Sequence, residues 1–350
     1  MLDSLHINNF RLFKELKIEQ LGRVNLIVGR NNSGKTCLLE ALWIYGSNAD
    51  PAVLSSIISK RDENWESSQL NLKHYDNNHP LRYIYHNRYF PLITVDEENL
   101  EKRIAISSLN HEQKKLIVYL TEREDNSQEL EFEVFFETSP TAPVTWKQGK
   151  YPPSVNFSDF PNNEHTQFVG TTPMDNQEVE NLWHKIVVTP LEEYVLKGLH
   201  LFDDKIQKVG LIVKPNSNIP MIFIEKERIP LKHLGEGMFR VFHIILALVN
   251  AKEGFLLIDE FENGLHYTVQ PKVWEFIFKL AKELNVQVFV TTHSWDCVTA
   301  FAETTQQNET EGMLFHLGRS GLTSDEGKII ATAYDKEELE LATFANLEVR

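Results

Sequence analysis

Near the start of the chain a strand-like run, Val24-Asn25-Leu26-Ile27-Val28, leads directly into Gly29-Arg30-Asn31-Asn32-Ser33-Gly34-Lys35-Thr36. A helical pattern follows, from about Lys35 to Tyr45, closed by the turn residues Gly46-Ser47-Asn48. The eight residues fill every fixed position of the phosphate-binding pattern GxxxxGK[ST]. The glycines let backbone N–H groups converge on phosphate oxygens at the positive end of the next helix. Lys35 is placed to supply a point charge to β and γ phosphates, and Thr36 a hydroxyl to Mg²⁺. A chance glycine-rich turn has no reason to sit between a buried strand and a helix. This context restricts the chain to an α/β fold built around that loop.

Three later segments carry chemistry compatible with it. Phe255-Leu256-Leu257-Ile258 is an apolar strand that ends in Asp259-Glu260. A strand-end aspartate holds Mg²⁺ in phosphate-loop enzymes, so Asp259 is the metal candidate. Glu260 is placed to polarise an attacking water as a general base. Taken alone, the pair also reads as an acidic turn after a core strand. A second apolar strand ends in Thr291-Thr292-His293-Ser294. His293 is a candidate γ-phosphate contact, since open α/β sheets bind ligands at the carboxyl ends of their strands, and Ser294 is a candidate helix N-cap. A lone histidine there can equally be structural. His233-Leu234-Gly235-Glu236-Gly237-Met238 opens another helix, where two glycines expose N–H groups to an anion. By itself this is also an ordinary glycine-rich helix entry.

Around these motifs the chain divides by texture. Leu5, Ile7, Leu16 and Ile18 suggest two short strands joined around Phe10-Arg11. From Gly235 onward, short apolar strands alternate with helices, the pattern of a mostly parallel sheet covered on both faces. Residues 239–250 are apolar almost all round, so that helix is expected to be buried. Pro271 fits the following helix if it lies in the first turn. The expected core is therefore split, residues 1–48 plus 232–350, around an α+β insertion of 49–231. Within the insertion, strands are expected at Arg103 to Leu109, Lys115 to Arg123, Leu130 to Glu137, Val209 to Val213 and Met221 to Glu225. A helix is expected through Val179, Leu182, Trp183, Ile186 and Val187, interrupted at Pro190. Polar stretches at 71–79, 110–113 and 124–127 and the Pro-, Asn- and Thr-rich segment 139–176 read as loop.

The bulk properties exclude some classes. No run of eighteen apolar residues exists to span a membrane, and Met1-Leu2-Asp3-Ser4 lacks the features of a signal peptide. Cys37 and Cys297 lie far apart, as unpaired thiols in a reducing compartment would, which suggests the cytoplasm. A net charge of -15 opposes non-specific nucleic-acid binding over the whole surface. It leaves room for a local basic patch such as Lys226, Arg228 and Lys232, diluted by Glu225 and Glu227.

Together these segments resemble the ABC-type ATPases of the SMC, RecF and OLD group. Ile7-Asn8-Asn9-Phe10-Arg11-Leu12-Phe13 is similar to that group's opening strand pair. Asp259-Glu260-Phe261-Glu262-Asn263-Gly264-Leu265-His266 looks like the Walker B and D-loop of its compact RecF- and OLD-like members. Leu234-Gly235-Glu236-Gly237-Met238 occupies the place of the ABC signature without being LSGGQ, which argues against a transporter subunit. The resemblance implies an ABC-type core with N-terminal antiparallel strands, Mg²⁺-dependent ATP hydrolysis, and a homodimer with each ATP between two subunits. One subunit would supply 29–36, Asp259, Glu260 and His293, and the other Gly235 and Gly237. The implied nucleotide contacts also take in Arg11 and Cys37. The residues after His293 leave no room for a Toprim nuclease domain of the usual size, so such an effector is expected on a separate chain, in phage defence or DNA maintenance. Two other readings remain open: a nucleotide-sensing scaffold with little turnover, and an SMC-like DNA-associated ATPase, against which the absence of sustained heptads counts.

Overall fold

A computed structural model describes residues 1–63, 80–88, 103–109, 115–122, 130–136, 144–146, 165–214, 217–322, 325 and 327–339. β1 (Leu5–Phe10) and β2 (Phe13–Ile18) form a hairpin, and β3 (Val24–Val28) runs into α1 (Lys35–Gly46). After α2 (Pro51–Ser59) come β4 (Ile104–Ser107), β5 (Lys115–Glu122), β6 (Leu130–Phe136), β7 (Val144–Trp146) and β8 (Thr166–Val169). Helices α3 (Asn176–Ile186) and α4 (Glu192–Leu199) precede β9 (Ile206–Lys214), β10 (Ser217–Ile224) and β11 (Glu227–Pro230). The last stretch is α5 (Glu236–Asn250), β12 (Phe255–Ile258), α6 (Gln270–Glu283), β13 (Gln287–Thr291), α7 (Trp295–Gln307), β14 (Gly312–Arg319) and β15 (Ile329–Tyr334).

The central sheet has the order β15-β14-β3-β13-β12-β8, parallel throughout except for β15. Parallel strands are covered on both faces and need apolar side chains at every position. Every residue of β3 and β13 is accordingly buried. Asn25, the polar exception in β3, is satisfied internally: its Nδ2 donates to Gly22 O at 2.9 Å and Val288 O at 3.1 Å, and its Oδ1 accepts from Gly22 N–H at 2.8 Å. Alternation along the strands divides the interior into two cores. Ile27, Leu257, Phe289 and Phe315 face one that includes α1, α2 and the β1–β2 hairpin. Leu26, Leu256, Val290 and Leu314 face the other, built with α3 to α7. Trp274 and Phe261 stack in the second core at 4.3 Å between ring centroids.

A second, antiparallel sheet runs β2-β1-β4-β5-β6-β7, and a third runs β11-β10-β9. The expected borders of the insertion are therefore bridged twice, by β1 pairing with β4 and by β12 pairing with β8. Two corrections concern the segment expected as loop over 139–176. It contains β7, and it contains β8, which completes the edge of the central sheet. β8 is short and half-buried, and its only clear apolar pair, Phe168-Val169, gave too little alternation to announce a strand. The rest of 139–164 and the polar stretches at 71–79, 110–113 and 124–127 lie outside the described residues. The helix interrupted at Pro190 resumes as α4 after a turn in which Val188 takes a left-handed φ of 62°. Pro271 lies in the first turn of α6, and Ser294 caps α7 through Cys297 N–H. No helix of the described residues is long and apolar enough to cross a membrane.

Candidate active site

β3, β13 and β12 are parallel neighbours, so the loops that follow them leave the sheet at one edge. That edge brings 29–36, Asp259-Glu260 and Thr292-His293 together. The phosphate-type loop depends on glycine at both ends of its turn: a Cβ on Gly29 would lie 2.4 Å from Leu317 O, and Gly34 takes a φ of +98° with a Cβ there 2.8 Å from the Phe13 ring. Phe13 is fully buried in β2, so the hairpin that opens the chain also fixes the loop's path. Lys35 folds back over the loop, its Nζ donating to Gly29 O at 2.7 Å and Arg30 O at 3.0 Å. Burial pushes the pKa of Lys35 down, opposed by the charges of Asp259, Glu260 and Glu262. The Ser33 hydroxyl is buried and finds no hydrogen-bond partner among the described residues. An orphaned hydroxyl inside a loop whose backbone converges at a helix N-terminus is chemistry an oxyanion would satisfy.

The carboxylate side is equally specific. Asp259, 7% exposed, accepts from Thr291 Oγ1 at 2.6 Å. Its Oδ2 and Oδ1 lie 3.1 and 3.3 Å from Thr36 Oγ1. A hydroxyl and a carboxylate facing each other are the hard-oxygen donors that Mg²⁺ prefers, so these two residues fit that ion. Glu260 has a left-handed φ of 50°, and its Oε1 lies 4.0 Å from His293 Nε2. Both side chains are partly exposed, as groups that meet a substrate must be. Glu262 accepts from Thr292 Oγ1 and from the His293 N–H, both at 2.7 Å, which pins the loop that carries His293.

The first turn of α5 packs on the carboxylate loop. A Cβ on Gly237 would approach Gly264 O to 2.9 Å, so a small residue is required there. Leu234, Gly235 and Glu236 are exposed, whereas Met238 turns into the core.

Two positions expected among the nucleotide contacts are held otherwise. The Arg11 guanidinium is buried against Glu63, with Nη1–Oε1 at 2.7 Å and Nη2–Oε2 at 3.0 Å. Its Nε also lies 2.6 Å from Glu40 Oε2, in contact as an ion pair without hydrogen-bond alignment. A buried guanidinium needs partners for its charge and its N–H groups, and here they are two carboxylates and the Tyr83 carbonyl. The Cys37 side chain is buried within α1, and burial pushes its thiol up to about 11. Sequence reasoning also passed over Thr291, Glu262 and Arg240 as parts of the site. For Thr291 the usable signal was a hydroxyl ending the strand beside the carboxylate strand, which becomes informative only once strand order is known.

A family model described as AAA ATPase domain matches residues 1–186 and 162–298. A Helicobacter pylori protein named ATP/GTP phosphatase is 28% identical over 335 residues, covering 85% of this chain and 86% of that protein. The DNA replication and repair protein RecF of Clostridioides difficile is 46% identical over 43 residues, 12% of each chain. Among solved structures, the SmcHead bound to the C-winged helix domain of ScpA aligns with a TM-score of 0.50 at 12% identity, covering 96% of this chain and 99% of that one. At that identity the likeness is one of fold.

Proposed function

Since the chain belongs to the AAA ATPase domain family, we propose that this edge of the sheet is an ATP-hydrolysing site shared between two copies of the chain. ATPase activity follows from the family; the RecF relatives match a short stretch of the chain, and the SMC likeness is one of fold. The residue roles, the Mg²⁺, the pairing and the biological setting are our reading.

In that reading, 29–36 cradles the phosphates and Lys35 exchanges its two carbonyl contacts for phosphate oxygens. Thr36 and Asp259 would hold Mg²⁺, which supplies charge neutralisation at the β and γ phosphates. Glu260 accepts a proton from the attacking water, and His293 contacts the γ phosphate. The observation that carries the proposal is the convergence of Lys35, the Thr36–Asp259 pair and the Glu260–His293 pair on one edge. The exposed turn at 234–238 supports the second half of the reading, because the start of α5 leaves the N–H groups of Glu236 and Gly237 without an intrahelical acceptor, as a neighbour's phosphates would require.

Opening and closing of the pair would switch a separate effector, such as a Toprim-like nuclease, in phage defence or DNA maintenance in the cytoplasm. The family resemblance and the RecF relatives support that setting. Nucleic acid is a further partner in this reading, met at a local basic patch. The test is complementation by mixing. Leu234→Glu, at an exposed side chain of that turn, should block the neighbour's phosphates while leaving ATP binding nearly intact, and Lys35→Ala should remove binding. If sites are shared, the mixture regains about one working site per mixed pair. No recovery on mixing would refute the shared site, and ATP binding without turnover in the parent chain would leave a nucleotide-sensing scaffold.

A further inference from the structure

Arg240 lies one turn into α5 and is 7% exposed, yet among the described residues its guanidinium meets no carboxylate. Its three donor contacts are all backbone carbonyls. Nη2 donates to Asp259 O at 2.9 Å and Glu260 O at 3.3 Å, and Nη1 donates to Gly170 O, just past the end of β8. The side chain therefore joins three elements: the helix that begins at Gly235-Glu236-Gly237, the loop after β12 and the loop after β8.

The carbonyls it selects matter. Glu260 is a non-glycine residue with a φ of 50°, a conformation that persists only where its surroundings determine it. Its N–H donates to Thr291 Oγ1 at 2.9 Å on one side. On the other side Arg240 holds the carbonyls that flank the Glu260 Cα. The peptide that aims the Glu260 side chain is thus clamped from two directions by buried groups. Burial pushes the pKa of Arg240 down, opposed by the charges of Asp259, Glu260 and Glu262.

We propose that Arg240 is a positioning residue for the hydrolytic reaction, fixing the backbone of Asp259 and Glu260 so that one carboxylate faces Thr36 and the other faces His293. The assignment rests on the ATPase reading of this site. It also explains the choice of arginine: only a planar fork reaches two successive carbonyls and a third in the loop after another strand, which a lysine ammonium on a flexible stem does not reproduce.

The test uses the full chain with Arg240→Gln and Arg240→Lys, checked first for an unchanged circular-dichroism spectrum. Steady-state ATP hydrolysis should show kcat reduced about 10–100-fold in Arg240→Gln, the range typical of lost support to a metal or catalytic group. ATP affinity, measured by calorimetry, should stay within about threefold, because the phosphate loop is untouched. Arg240→Lys should recover part of kcat. Combining Arg240→Gln with Glu260→Gln should cost little beyond Glu260→Gln alone, since both act through one group. An unchanged kcat, or additive losses in the double variant, would overturn the assignment. Hydrogen exchange over 258–266 gives a readout independent of turnover. Faster exchange there in Arg240→Gln supports the clamp, and unchanged exchange refutes it even if the parent chain hydrolyses no ATP. Absence of turnover in the parent would by itself count only against the ATPase reading.

Discussion

Replacing Thr291 by valine isolates one hydroxyl that the site depends on. Thr291 is fully buried at the end of β13, and valine has nearly the same shape. Its Oγ1 donates to Asp259 Oδ1 at 2.6 Å and accepts the Glu260 N–H at 2.9 Å. A hydrogen bond to a charged carboxylate contributes about 1.5–3 kcal/mol, and a buried N–H left without a partner costs about 1–3 kcal/mol. Valine's added apolar burial recovers at most about 1 kcal/mol. The expected net loss is therefore about 1.5–6 kcal/mol. Urea unfolding followed by tryptophan fluorescence reads it, since Trp183 and Trp274 both lie in the large core. Thr291→Ser keeps the hydroxyl and should lose less than half as much. Turnover in Thr291→Val should fall as well, because Asp259 and the Glu260 backbone lose a common tether. Equal unfolding midpoints for the valine and serine variants would refute the reasoning.

Two further outcomes are expected. Glu260→Gln keeps the side chain's shape but cannot take a proton, so ATP should bind and persist, and light scattering should show an ATP-stabilised pair; unchanged turnover would remove Glu260 from the chemistry. His243 is buried in α5, and burial together with the charge of Arg240 holds its pKa down at about 4 against the ordinary 6.5. The unfolded chain then binds the extra proton first, so the contribution is complete above pH 6.5 and is lost as pH falls from 6.5 toward 4, about 3 kcal/mol in all. Thermal unfolding of His243→Leu should lack that pH dependence; parallel curves for parent and variant would contradict it.

The parts of the molecule legible in the sequence are those whose physics is local. Gly29 to Thr36 carries its own turn chemistry, and α5 shows an apolar run from Ile244 to Val249 that only a buried helix tolerates. The two carboxylates after β12 could be recognised because a short, wholly apolar strand precedes them. What escaped depends on partners distant in sequence. β8 is a strand because β12 lies beside it, and nothing within Thr166 to Val169 says so. Thr291, Glu262 and Arg240 acquire roles only after the sheet order brings β13, β12 and α5 to one edge. Arg11 illustrates the converse: a motif position suggested a nucleotide contact, but Glu40 and Glu63, one on α1 and the other beyond α2, hold its guanidinium.

The central claim is that 29–36 binds the nucleotide that this chain hydrolyses. Steady-state phosphate release from purified parent and Lys35→Ala chains, with Mg²⁺ and either ATP or GTP, tests it most directly. The account predicts Mg²⁺-dependent turnover of ATP by the parent and none above background by Lys35→Ala, whose lost ammonium is the only side-chain cation of the phosphate pattern's fixed positions. Equal phosphate release by the two chains would contradict it.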